Sequence, residues 1–392
     1  MVSTTSPCAK DVFFCLAMKK KIKICFVCLG AYPLFNQNIK ATFGGAEVQL
    51  YLLGKALTKL PEFEVSFVVA NFGQPAVEVR DGVRLYKSIK NEKSGSLWRS
   101  LRRPKPLVLA NVLRKIGADI YIQRTASAGT GLVCLVAHLL GKKFIYMTAH
   151  EIDCGGEFEK MNPWLSGRLY RYGIRRADLV ITQNEEHRRM VKEHHGKESI
   201  VVKSVYKIPK SSELDQMERK YILWVGRAED WKQPEIFLEL ARNFKDHNFL
   251  MICPRSNNQH AYFDGIKERV AELPNVSFKD FVPFAEMDNY FRQAKVYVLT
   301  SKFEGFPNTF VQAAKNTVPI LSLNVDPDDF LEKYDCGIFT GGSIDKLKDS
   351  LHKILNDEVK RARLGANAYR YAKENHDIEK IINNYKTILE KL

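Results

Sequence analysis

The sequence predicts an α/β protein of two domains that face each other across a cleft, each a parallel sheet wound on both sides by helices. Three observations lead there. The chain has 392 residues, more than a single hydrophobic core usually organises. Short β-branched apolar runs alternate with amphipathic stretches along most of its length, the pattern of parallel sheets covered by helices. Near the middle, residues 207–220 hold Pro209, two serines and many charges, which reads as a linker.

The elements follow in chain order. Residues 1–17 read as an extension without fixed structure, because Met18 and the three lysines after it look like a natural start. The first domain, 18–206, should carry strands at 22–28, 65–70, 120–122, 144–147 and 179–182, with helices at 46–60, 131–140 and 163–177. The second, 221–375, should carry strands at 221–225, 249–253, 276–278, 296–299 and 319–321. Helices are expected at 234–243, 262–273, 284–294 and 308–316. A polar helical segment, 376–392, closes the chain.

Eight cysteines are scattered, and Cys25, Cys28, Cys134 and Cys253 lie inside apolar runs. Cys25 and Cys28 form a C-x-x-C, but within a strand and with no second pair to complete a metal site. Buried reduced thiols in a reducing, cytoplasmic compartment are expected. The apolar stretch 12–18 is far shorter than the ~20 residues that span a bilayer. It also lacks the flanks of a secretory signal. Lys and Arg number 60 against 45 Asp and Glu, a formal charge of +15, so an anionic partner is expected.

Two wound sheets place a ligand at the carboxyl ends of their strands. The first strand leads into a long loop, with Gly44-Gly45 only at the next helix start, so neither G-x-G-x-x-G nor a P-loop is present. The strongest segment is Ser301-Lys302-Phe303-Glu304-Gly305-Phe306-Pro307-Asn308-Thr309-Phe310-Val311-Gln312-Ala313-Ala314. It follows an expected strand and opens a helix. Gly305 lets the backbone approach a ligand, and the helix start offers amides and a positive dipole end to an anion. Glu304 precedes that helix and Gln312 lies inside it, so both can face one ligand. A surface loop with a capped helix is the plain alternative. Asp326 and Asp328 precede a helix, where capping is a better reading than metal binding.

The segment 301–314 resembles the signature of retaining family 4 glycosyltransferases of the GT-B fold, two glutamates separated by seven residues. Other segments resemble that family in order: Phe43-Gly44-Gly45-Ala46-Glu47 its N-terminal glycine loop, Thr148-Ala149-His150-Glu151 its His-acid site, Ala177-Asp178-Leu179-Val180-Ile181-Thr182 the strand before its linker, and Val225-Gly226-Arg227 with Lys232 its diphosphate site. The resemblance runs from about Lys21 to the C-terminus.

It implies two Rossmann-like domains, a C-terminal helix packing back toward the N-terminal domain, and retention of anomeric configuration. Arg227 and Lys232 would hold the donor diphosphate and stabilise leaving-group charge. Glu304 would accept from sugar hydroxyls, the amides of Gly305, Phe306 and Asn308 would cradle phosphate or sugar, and Gln312 would meet the ribose. Gly44 and Gly45 would face the diphosphate and acceptor from the other domain, with His150 beside the anomeric carbon as a hydrogen-bonding group. No cofactor and no metal are expected. The implied partners are a nucleotide-sugar donor, UDP- rather than GDP-linked, and a glycan or lipid-linked acceptor, in bacterial surface polysaccharide or glycolipid synthesis.

Position 312 is Gln where the family usually has Glu, Lys203-Ser204-Val205-Tyr206 stands where Asn-Gly-x-Asp is usual, and Thr317-Val318 precedes Pro319 in place of a glycine. A catalytically impaired nucleotide-sugar-binding relative therefore remains an alternative. Nucleic-acid binding is suggested by charge alone and has no motif behind it, so no specific nucleic acid is expected. An anionic membrane surface is a further expected partner. Residues 96–105 mix Trp98 and Leu101 with four basic residues, and the helix from Pro163 carries Arg168, Arg171 and Arg175 beside Trp164. The protein would then sit at the inner face of the cell membrane.

Overall fold

A computed structural model describes residues 20–39, 41–89, 105–214, 218–256 and 259–392. The expected extension 1–17, Cys8, Cys15, and the basic and aromatic stretch 96–104 lie outside them. The first sheet has eight strands: β1 (Ile22–Val27), β2 (Phe63–Val69), β3 (Val77–Arg80), β4 (Val83–Lys87), β5 (Ile120–Arg124), β6 (Lys143–Met147), β7 (Leu179–Thr182) and β8 (Ile200–Val201). Their order is β3-β4-β2-β1-β5-β6-β7-β8, parallel throughout except for the β3–β4 pair. The second sheet has six: β9 (Tyr221–Val225), β10 (Phe249–Ile252), β11 (Val276–Lys279), β12 (Ala294–Leu299), β13 (Ile320–Ser322) and β14 (Gly337–Phe339). Their order is β11-β10-β9-β12-β13-β14, all parallel. The strands are apolar runs because helices cover both faces; Ile222, Leu223 and Trp224 of β9 are fully buried.

In each sheet the winding reverses beside the first strand, between β1 and β5 and between β9 and β12. The loops leaving those strands diverge and open a crevice at the carboxyl ends. The sequence reading missed β3, β4, β8 and β14. β3 and β4 carried a usable signal. Asp81-Gly82 joins two alternating runs, and both residues have positive φ, 51° and 78°, the two-residue hairpin turn that Asp-Gly favours. The helix expected at 284–294 is a short 3₁₀ turn followed by Met287–Arg292.

The last helix, Ile378–Glu390, leaves the second domain and buries Ile381, Tyr385 and Leu389 against Leu50, Leu53 and Leu57 of the helix Gly45–Leu57. Each such side chain contributes about 1.5–3 kcal/mol as an upper figure. The chain thus crosses between domains twice, and the crossings lie side by side. The Tyr206 amide donates to the His376 carbonyl and the Ile378 amide to the Tyr206 carbonyl, each at 2.9 Å. The six described cysteines are buried and unpaired, and burial pushes the Cys25 thiol up to about 12. Among the described residues no helix is long and apolar enough to cross a membrane.

Candidate active site

β9 and β12 are neighbours, and the loops that follow them are tied together. After β9 the chain turns at Gly226, where a Cβ would lie 2.9 Å from the Trp224 ring. Arg227 follows and pairs with Glu229 at 3.3 Å. A 3₁₀ turn, Asp230–Lys232, then brings Trp231 and Lys232 against the loop after β12. The Lys302 amide donates to the Trp231 carbonyl at 2.8 Å, and the Thr300 hydroxyl to the Lys232 carbonyl at 2.7 Å. The Lys232 ammonium pairs with Glu304 and lies 4.0 Å from the centre of the Trp231 ring. Ser301 Oγ donates to the same Glu304 oxygen at 2.9 Å. Lys232 and Glu304 are only 16% and 12% exposed, so their charges are little screened.

Past Glu304 the chain runs through Gly305, Phe306 and Pro307 into the helix Asn308–Lys315. The amides of Gly305, Phe306 and Asn308 have no hydrogen-bond partner among the described residues. Buried amides like those of Gly305 and Phe306 are almost always paired, and free amides at a helix start are a ready place for an anion. The Phe306 ring itself packs on Phe330, Tyr371 and His376 in the core, so only its amide is available to a ligand. Gln312 is buried, its head group has no partner among the described residues, and it lies four residues from Asn308 on the same helix face.

The first domain closes on this surface. Gly44 caps the helix Gly45–Leu57, and its amide donates to Glu47 at 2.9 Å. Gly45 backs onto the Asn308 side chain. Gln49, one turn further along, donates to Asn308 Oδ1 at 2.9 Å and accepts from the Val205 amide at 2.8 Å. Gly305 touches the loop after β6: a Cβ there would lie 2.7 Å from the Ala149 carbonyl oxygen and 2.9 Å from the His187 ring. Beyond Ala149, the His150 ring stands edge-on to Trp231 and Phe303, at 5.7 and 5.3 Å between ring centres. Trp231 and Phe303 are themselves stacked at 5.1 Å with 5° between planes.

Burial pulls the His150 pKa below the usual histidine range, against the pull of Glu304 and Asp153. The imidazole is therefore neutral at neutral pH. Its Nδ1 accepts from the Ile152 amide at 3.3 Å, which assigns the proton to Nε2. The loop that aims it is pinned by buried Asp153, which accepts from the Ala126, Ala149 and His150 amides at 2.9, 2.6 and 3.1 Å. Burial, then Glu186, Glu157 and Glu304, raise the pKa of neighbouring Glu151.

The fold thus gathers His150, Lys232, Glu304 and Gly305, and sets Gly45 against Asn308. Arg227 lies at the same strand end but pairs with Glu229. Sequence reasoning missed Trp231, Phe303, Gln49 and Arg124. Trp231 sat in plain view between Arg227 and Lys232, and Gln49 lies one turn from Gly45. Arg124 ends β5, where burial lowers its pKa and its Nε has no partner among the described residues; no local pattern marks it. Asp326 Oδ1 accepts from the Leu331 amide at 3.0 Å and Asp328 pairs with Lys203 at 3.3 Å, so both are engaged in capping and interdomain contact.

The free head group of Gln312 can accept from a ribose, with neutral strength only. Gln312→Ala should weaken binding of the bare nucleoside diphosphate roughly tenfold, about 1.4 kcal/mol, while Glu304→Ala lowers turnover more than nucleotide affinity. Calorimetry on both variants checks this. Unchanged binding by Gln312→Ala with loss in Glu304→Ala would reverse the two roles.

Two family models match successive stretches of the chain: glycosyltransferase family 4 over residues 43–203 and glycosyl transferases group 1 over 207–371. An uncharacterized glycosyltransferase of Methanocaldococcus jannaschii is 22% identical over 366 residues, covering 76% of this chain and 86% of that protein. Among solved structures, sucrose-phosphate synthase from Thermosynechococcus elongatus aligns at 15% identity and TM-score 0.74, over 95% of this chain and 99% of that one. Anabaena HepE in complex with UDP and glucose aligns at 16% identity and TM-score 0.74, over 95% and 100%. At those identities the likeness is one of fold.

Proposed function

The chain belongs to the GT-B glycosyltransferases of the family 4 type, and on that premise we propose that it moves a sugar, with retention, from a nucleotide-sugar to a glycan or lipid-linked acceptor. The supporting observation is the set of unpaired amides at Gly305, Phe306 and Asn308, in the loop whose Glu304 pairs with Lys232 and with Gly45 of the other domain against Asn308. When the sugar departs, negative charge grows on the diphosphate. Amides, helix start, Arg227 and Lys232 meet it with fixed positive ends. Glu304, released from Lys232 as the diphosphate takes the ammonium, accepts from sugar hydroxyls, and His150 donates through Nε2 beside the anomeric carbon. UDP is the proposed nucleotide, as in the HepE complex. Bacterial surface polysaccharide or glycolipid synthesis is the proposed setting.

A thermal-shift panel of UDP-, GDP- and ADP-sugars tests the donor, since a ligand at about 100 times its Kd adds ~2.7 kcal/mol. No shift with any donor refutes the reading. Binding without hydrolysis or transfer favours the impaired relative that Gln312 raises as the alternative. Because Arg227 and Lys232 supply the positive charge, turnover should persist in excess EDTA at moderate temperature. Complete loss, restored by magnesium or manganese, would overturn metal independence.

We also propose that the first domain rests on anionic membranes through the helix Leu165–Arg176. Trp164 is 85% exposed, with Met161 and Leu165 beside it and Arg168, Arg171 and Arg175 along the helix. A basic residue near such a surface contributes ~1 kcal/mol. Sedimentation with anionic but not neutral vesicles, lost in Trp164→Ser, is the expected outcome. Equal sedimentation with both at low salt counts against it.

A further inference from the structure

We propose that Glu159, His194 and His195 form a zinc site that clasps two helices of the first domain. One ligand atom from each lies within 4.8 Å of the others. Glu159 comes from the short helix Glu157–Met161 and the two histidines from the end of the helix Glu185–His195. His195 and Glu159 are buried, and His194 is half-buried.

Among the described residues, three polar atoms of this cluster, both ring nitrogens of His195 and Oε2 of Glu159, have no hydrogen-bond partner; Glu159 Oε1 stands 3.7 Å from His195 Nδ1. Buried groups of this kind rarely lack one, and a shared metal would satisfy the Glu159 oxygen and one of the two His195 nitrogens. The approach is built in. Gly156, at φ +85°, lets the backbone pass directly against the His194 ring, where any side chain would collide.

The donor set selects the metal. Two imidazoles and one carboxylate suit zinc with a water in the fourth position, whereas magnesium and calcium prefer oxygen throughout. Closing the ligand atoms to about 3.3 Å apart around a tetrahedral zinc requires side-chain rotation of roughly an ångström. Arg171 contacts the other Glu159 oxygen at 3.5 Å. Its side chain is half exposed and can swing into solvent when the cation arrives. The clasp would tie the loop that carries His150 to the helix whose first turn holds His187 under Gly305. His195 is eight residues from His187, about 12 Å along the axis, so this site is separate from the proposed donor site.

Untagged full-length protein, stripped with chelator and then equilibrated with zinc chloride or magnesium chloride, should keep about one zinc and no magnesium after desalting. Zinc should raise its thermal midpoint by several degrees, and cobalt should give the visible bands of a tetrahedral site. His194→Ala and Glu159→Gln should lose the zinc while keeping wild-type circular dichroism and UDP binding. Absence of retained zinc in the wild type overturns the proposal, as does equal retention in both variants. Calorimetry with UDP on the same samples reports the sugar-transfer reading separately.

Discussion

Lys232→Ala should lower turnover by about 10²–10³-fold, the usual cost of removing one donor aimed at developing charge. The same change should destabilise the fold, because Glu304 keeps its buried carboxylate and loses its counter-ion. The two effects can be separated. Lys232→Ala combined with Glu304→Gln removes the uncompensated charge, so the thermal midpoint should recover while turnover stays low. Glu304→Gln alone should keep diphosphate affinity. If the double variant regained activity together with stability, Lys232 would be an anchor for the loop after β12 and no partner of the diphosphate.

Gly305→Ala should lower kcat/KM by about 10–100-fold with little loss of bare-nucleotide affinity. The substitution keeps the amide assigned to the donor. What it adds is a methyl group 2.7 Å from the Ala149 carbonyl and 2.9 Å from the His187 ring, both in the opposite domain. Backbone cannot step aside cheaply, and overpacking of this size costs about 1–3 kcal/mol. The domains can escape it by opening, so the cost falls on the closed arrangement that brings His150 to Trp231 and Phe303. Gly45→Ala should do less, because its neighbour is the Asn308 side chain, which can rotate. Steady-state kinetics with nucleotide titrations on both variants decides this. Wild-type kcat/KM in Gly305→Ala would show that closure does not limit the reaction.

The sequence by itself determined the two wound sheets and the end of each strand where chemistry gathers. Both rest on local pattern: a parallel strand covered on two faces must be mainly apolar, as β9 is throughout and β5 and β12 are for most of their length. Gly305, Pro307 and Asn308 mark a helix start for the same local reason. The hairpin at Asp81-Gly82 has an equally local signal. Only the tertiary structure decided which groups meet. Glu304 pairs with a lysine 72 residues away, Gln49 reaches 259 residues to Asn308, and His195 is buried against a helix more than thirty residues earlier in the chain. Those contacts depend on how two domains close and how a final helix crosses back. That closure is set by side chains brought together from distant strands, and no spacing along the chain encodes it.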